Sequence, residues 1–349
     1  MKLKLKLAAV LGLLAIACVT VSPAEACSRV LYHGPENTVL TGRTMDWMED
    51  VKSGLWIFPR GMKRDGVFKD APFEWTSKYG SVIVSIFDAA SVDGMNEKGL
   101  TANFLWLAES EYPGKTPGKP SMSLSAWLQY VLDSFSTVKE AVETLKKEEF
   151  SIVSVIMPGR GHPATAHLAL SDSSGDSAIF EYVKGKLVIH HSRDHIVMTN
   201  SPLYEQQLAL NAYWKEIGGF AMLPGTNRSA DRFVRASFYL DAIPKTADIQ
   251  TAVAGTFSVI RNISVPLGIT TAEKPNISST LWRTVSDHKN RVFYFESTTQ
   301  PNIFWVDMKK IDFSEGSSTR ALTMKNGQFY AGDTSSLFEE AEPFDFLGK

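Results

Sequence analysis

The chain has 349 residues, of which 44% are hydrophobic, with 36 basic against 38 acidic side chains. This near-neutral balance, with no basic block, argues against a nucleic-acid partner or an anionic membrane surface, while the length allows a large buried core. Two cysteines, Cys18 and Cys27, exclude a disulfide-built scaffold.

The first element in the chain is a leader-like segment. Lys2, Lys4 and Lys6 precede an apolar run from Leu7 to Val21, followed by Pro23 and the small-x-small pattern Ala24-Glu25-Ala26. The run is short for a membrane-spanning helix, which needs about 20 apolar residues. A basic start, an apolar centre and an A-x-A site are the layout of a secretory signal peptide. Residues 1–26 are therefore expected to be removed, leaving 27–349 as one domain that begins at Cys27, is exported and makes no stable membrane insertion. A competing reading takes "AIAC" at 15–18 as a lipid-attachment box, which would make the chain a tethered, non-catalytic binding protein. The A-x-A site is the cleaner signal.

Next come "SRVLYH" and "TVLTGRTMD", strand-like runs around the turn-type cluster "GPEN". A hairpin turning at Pro35 sets residue 27 opposite Arg43. Strands are expected over 79–89 and 99–107, with Asp93-Gly94 as a turn signal between them. Helices follow over 123–135 and 136–147, the second with Thr137 and Glu140 as a capping box. Four strands then run through 165–172, 177–183, 186–192 and 195–201. Helical patterns return over 203–217, 229–241 and 246–260, and the chain closes with strands over 278–287, 291–297 and 302–308. Blocks of strands alternating with blocks of helices indicate α+β layers and not a βαβ sheet.

A cysteine at a processed terminus combines a thiol with a free α-amine, whose ordinary pKa of about 7.7–8.0 lies near that of the thiol at about 8.5. The amine can take the thiol proton, so no histidine is required. Arg43 across the hairpin would favour the thiolate, and Asp46 would accept hydrogen bonds from the amine. The chain carries no G-x-S-x-G elbow, H-E-x-x-H or P-loop pattern. His190, His191, Asp194 and His195 form a cluster of metal-ligand types, but adjacent strand residues point to opposite faces, so His190 and His191 do not readily share an ion. Neither a metal nor a cofactor is expected.

The pattern C-x(15)-R-x-x-D-W starting at Cys27 resembles the choloylglycine hydrolase family of N-terminal nucleophile amidases, which includes penicillin V acylases and conjugated bile salt hydrolases. The resemblance continues through "DGMNEKGL" (93–100), "HLALSDSSGDSAIFEYVKGK" (167–186), "VMTNSP" (197–202), "LPGTNRSADRFVRASFY" (223–239) and "NRVFYFES" (290–297). It implies a four-layer αββα fold, with two antiparallel sheets between helical layers, and a small-molecule amide substrate. It also implies Cys27 as nucleophile, Arg43 and Asp46 as its activating and orienting partners, Asn200 at the oxyanion and Arg232 as an active-site arginine, with Arg235 the alternative one turn on. Trp106 stands where the family often has asparagine or tyrosine, and with Trp47 it implies aromatic walls around the substrate. The segment from Asn200 to Arg232 looks shorter than in Gram-positive bile salt hydrolases, which implies the Gram-negative, periplasmic branch. The implied substrates are penicillin V or N-acyl homoserine lactones, with conjugated bile salts as the alternative, and the implied assembly is a homotetramer.

Overall fold

The computed structural model describes residues 27–269, 278–324 and 328–348. The leader-like segment and Cys18 lie outside the described residues. Two large sheets stack face to face. Ser28–His33 (β1) and Val39–Trp47 (β2) lie in a seven-stranded sheet, with Val197–Met198 beside β1 and Ser279–Asp287 beside β2. Val292–Ser297, Ile303–Asp307 and Gly332–Asp333 continue this sheet, and its one parallel pairing is the last. The second sheet has nine strands, all paired antiparallel, and its middle is built from Ala166–Ser171, Thr101–Trp106, Ala90–Asn96 and Ser81–Ile86.

Helices cover the outer faces. Leu124–Ser134 (α1) lies on the strands Ala90–Asn96 and Thr101–Trp106, and Val138–Leu145 (α2) contacts Ser177–Val183. Tyr204–Ile217 (α3) packs on Ser229–Ala242 (α4), and α4 and Ile249–Asn262 (α5) rest on β1 and β2. This is the expected αββα sandwich. With a helical layer on one side and a sheet on the other, β2 is buried at all nine positions, and its alternation assigns residues to layers. A Cβ on Gly42 would come within 2.9 Å of Ile260 and 3.0 Å of Thr256, so glycine lets α5 approach closely. Thr41, on the other face, meets Ser171 of the nine-stranded sheet at 2.7 Å.

The expected helices all form, and α1, α2 and α5 start at side-chain caps. Ser123 and Asp248 accept from Ser125 N at 3.2 Å and Thr251 N at 2.9 Å, so α5 starts at Ile249 and not at 246. Only half of the α2 capping box forms. Thr137 Oγ1 accepts from Glu140 N, but the Glu140 carboxylate turns to Ser136 N.

Two local expectations fail. Asp93-Gly94 is not a turn but the middle of strand Ala90–Asn96, and the chain reverses instead at Phe87-Asp88, where φ is 53° and 46°. Gly94 is small for a packing reason: a Cβ there would lie 2.7 Å from both Ile83 Cγ2 and Val82 O. The opening hairpin turns through Glu36-Asn37 (φ 54° and 58°), and its strands pair Ser28 with Thr44 and Arg29 with Arg43. Arg43 is therefore not opposite Cys27. The register carries Cys27 toward Met45.

Candidate active site

The shifted register still brings Arg43 near Cys27, because side chains two apart on a strand share a face. Cys27 Sγ lies 4.0 Å from Met45 Sδ and 3.8 Å from Asp46 O, and Arg43 Nη2 lies 3.9 Å from the same Met45 sulfur. Arg43 also donates to Phe104 O at 2.8 Å, and its guanidinium sits 4.5 Å over the Trp282 ring. Among the described residues its Nε and Nη1 have no hydrogen-bond partner, so a buried cation with spare donors lies on the thiol's side of β2. Burial pushes the Cys27 thiol up, and the attraction of Arg43 offsets this only in part. The thiol thus requires a base to release its proton near neutral pH.

The opposite face of β2 carries the charge network. Asp46 accepts from Thr280 Oγ1 at 2.6 Å and Thr44 Oγ1 at 3.2 Å, and Arg232 Nη1 stands 3.9 Å from its Oδ2. Burial dominates and raises the Asp46 carboxyl to about 6, against the pull of Arg232 and the two hydroxyls. Arg232, fully buried on α4, donates to Cys27 O at 2.7 Å, to Asn200 Oδ1 at 2.8 Å and to Asn227 O at 3.0 Å, as well as to Ser28 Oγ. Arg235 instead donates to Pro224 O and Thr226 O, away from Cys27.

The backbone nitrogen of Cys27 donates to Asn200 Oδ1 at 2.6 Å. The sequence pointed to Asp46 for this bond. Asp46 reaches this stretch of backbone indirectly, through Thr44 Oγ1, which accepts from Ser28 N at 3.0 Å. Asn200 is held on every side. Its N donates to Ser229 Oγ at 2.7 Å, its O accepts from Gln207 Nε2, and its Nδ2 donates to Trp106 O at 2.7 Å. One residue earlier, Thr199 O lies 2.7 Å from His167 Nε2, while His167 Nδ1 lies 3.1 Å from Glu181 Oε1. Burial alone would raise Glu181, but hydrogen bonds from His167 and His190 overcome it and bring the carboxyl to about 2. A carbonyl and a carboxylate can only accept, so both nitrogens of His167 donate.

Cys27, Arg43 and Met45 share a cavity of about 90 Å³ with Trp47, Phe104 and Trp106, closed farther out by apolar residues of the nine-stranded sheet, α1 and the 155–166 segment. The two tryptophans meet edge to face, with ring centroids 5.8 Å apart and planes at 66°. Arg160 sits 4.8 Å over the Trp47 ring, and His162 packs against Trp106. His190 and His191 reach different carboxylates, Glu181 and Asp176. No group of three metal-ligand side chains forms among the described residues. Met45, Thr280, Ser229, Gln207 and the pair His167–Glu181 were not foreseen, and no local motif marks them.

Known proteins resemble this chain along most of its length. Residues 27–321 match the pattern of the linear amide C–N hydrolases of the choloylglycine hydrolase family. A penicillin V acylase of Pectobacterium atrosepticum is 53% identical over 93% of this chain and 92% of its own length. The solved penicillin V acylase of Agrobacterium tumefaciens superposes with a TM-score of 0.87 at 54% identity, covering 93% of this chain and all of that one. A conjugated bile acid hydrolase of Clostridium perfringens is more distant, with a TM-score of 0.72 and 26% identity over 87% of this chain and 98% of its own.

Proposed function

The chain belongs to the choloylglycine hydrolase family of linear amide C–N hydrolases, and from that premise we propose that it is an exported, periplasmic cysteine amidohydrolase that cleaves the side-chain amide of penicillin V through an acyl-enzyme on Cys27. The observation that carries the reading is a single residue doing two things: the Cys27 thiol faces an apolar cavity, while its nitrogen is held 2.6 Å from Asn200 Oδ1.

In this mechanism, removal of residues 1–26 frees the α-amine of Cys27, which takes the proton of its own thiol. Arg43 stabilises the thiolate, which attacks the amide carbonyl to form a C–S bond. One hydrogen of the Asn200 amide is used on Trp106 O, and the other is left for the developing oxyanion, an interaction typically worth about 3–4 kcal/mol. As the C–N bond breaks, the proton passes from the α-amine to the leaving amine. Water then attacks the thioester, and the thiol regains its proton. Arg232 and Asp46 hold the Cys27 backbone so that thiol and amine keep their orientation.

Trp47 and Trp106 suit a flat phenoxy ring, because an edge-to-face aromatic pair adds about 0.5–1.5 kcal/mol beyond area burial. N-acyl homoserine lactones, whose acyl chains are also apolar, are the proposed second substrate class. The test is a hydrolysis panel of penicillin V, penicillin G, glycocholate and a long-chain acyl homoserine lactone on wild type and Cys27→Ser, with intact-mass detection of the acyl adduct. Penicillin V should be cleaved faster than glycocholate, with the adduct on Cys27. A wild type that prefers glycocholate refutes the substrate, and a Cys27→Ser variant with unaltered turnover refutes the nucleophile.

A further inference from the structure

One wall of the Cys27 cavity comes from a segment that none of the motifs above includes. Leu347 lines the same cavity as the thiol, although 320 residues of chain separate them. Its placement is built, not incidental. Leu347 N donates to Ala89 O at 3.1 Å, and Leu347 O accepts from the hydroxyls of Ser125, at 2.8 Å, and Ser123. Ser123 also caps α1, so one side chain fixes both the helix start and the tail.

The preceding residues anchor the segment to the nine-stranded sheet. Glu339–Glu340 pairs with Arg320–Leu322. The Phe344 ring packs 5.2 Å from Trp56 and 5.2 Å from Phe346, and Arg64 lies over Phe346 at 5.5 Å. The residues that hold Leu347 are Ala89, Ser123 and Ser125, none of which bonds to Cys27. Leu347 therefore bounds the cavity from the side of α1 and the Phe87-Asp88 reversal, away from the hydrogen bonds that hold the nucleophile.

We propose that Leu347 is a specificity-determining residue: its side chain terminates the acyl pocket and sets the length of acyl group that fits. The inference rests on reading this cavity as the acyl site. Each methylene moved from water into an apolar pocket is worth about fourfold in kcat/KM or affinity. Shortening Leu347 to alanine opens room for roughly two further methylenes, an effect of about fifteenfold on longer chains.

The experiment uses N-acyl homoserine lactones with straight acyl chains from butanoyl to dodecanoyl, so that the leaving amine is constant. Hydrolysis rates and the acyl adduct on Cys27 are measured for wild type, Leu347→Ala, Leu347→Trp and a chain ended after Phe346. The quantity read is the long-to-short ratio of kcat/KM within each protein, from which a loss of folded fraction cancels. Leu347→Ala and the shortened chain should raise this ratio about fifteenfold, and Leu347→Trp should lower it by at least as much. If wild type forms adducts but all three variants keep its length profile, this inference alone is overturned. If wild type forms no Cys27 adduct with any member of the series or with penicillin V, the reading of the site falls and this inference falls with it.

Discussion

Asn200 offers a way to separate what holds the site together from what turns substrate over. Its Oδ1 receives the Cys27 nitrogen at 2.6 Å and Arg232 Nη2 at 2.8 Å, while its Nδ2 binds Trp106 O and leaves one hydrogen spare. Asn200→Ala strands two buried donors, each costing about 1–3 kcal/mol. That loss should lower Tm by on the order of 5–10 °C. Removing the oxyanion donor should also lower kcat for penicillin V by about 10²–10³, with KM changed less. Asn200→Asp keeps an acceptor for Arg232 and Cys27 but has no hydrogen to donate. It should recover part of the lost Tm while kcat stays about 10² below wild type. Differential scanning calorimetry and steady-state kinetics on the same preparations measure both. The reasoning is refuted if Asn200→Ala retains kcat within threefold of wild type, or if Asn200→Asp restores turnover.

A chain that retains Ala26 should fold with a Tm close to that of the processed form, since an amide can still donate to Asn200 Oδ1, but it should be inactive because an amide nitrogen accepts no proton; full turnover in a chain shown by mass to be unprocessed would contradict this. Asp46 titrates at about 6 in the folded chain against an ordinary 3.8, so the folded state holds the extra proton between these values and stability falls as pH rises through that window, by on the order of 3 kcal/mol. Urea melts at pH 4 and pH 7 should show this slope in wild type and lose it in Asp46→Asn; equal slopes in both proteins would assign it elsewhere. Trp106→Ala should reduce kcat/KM for penicillin V by about tenfold or more, counting lost packing, and unaltered kinetics would make Trp106 a core residue only.

Much of the fold was legible because its signals are local. The periods of 203–217 and 229–241 mark α3 and α4 within a residue or so, and Thr137 marks the start of α2 through its own hydroxyl. Reading Asp93-Gly94 as a turn failed because glycine serves two purposes with one appearance, bending the chain or admitting a neighbour, and here Ile83 needs the space. The hairpin register failed because Pro35 looks like the turn while Glu36 and Asn37 supply the left-handed backbone that reverses the chain. The site is harder to read for a topological reason. Cys27 meets Asn200 across 173 residues, and Asp46 meets Thr280 across 234. No spacing rule links such residues, so Asn200 and Arg232 were reached through the family resemblance, while Thr280, Ser229 and Gln207, common polar residues with no distinguishing pattern, were not reached at all.

The alternation along β2 has a consequence for how such an enzyme can diverge. Arg43 and Met45 face the cavity, whereas Thr44 and Asp46 face the layer that supplies Arg232. In the mechanism proposed above, the groups that meet substrate and thiolate lie on one side of this ribbon, and those that hold the Cys27 backbone lie on the other. Exchanges at Val155, Met157 or Ala164 can remodel the cavity without entering the hydrogen-bond set of Arg232. A lineage can thus change its diet while its chemistry stands still, since a substitution that suits a new acyl group need not be repaired by a second one among the charges. The backbone of Cys27 is where the two sides meet, and there the latitude ends.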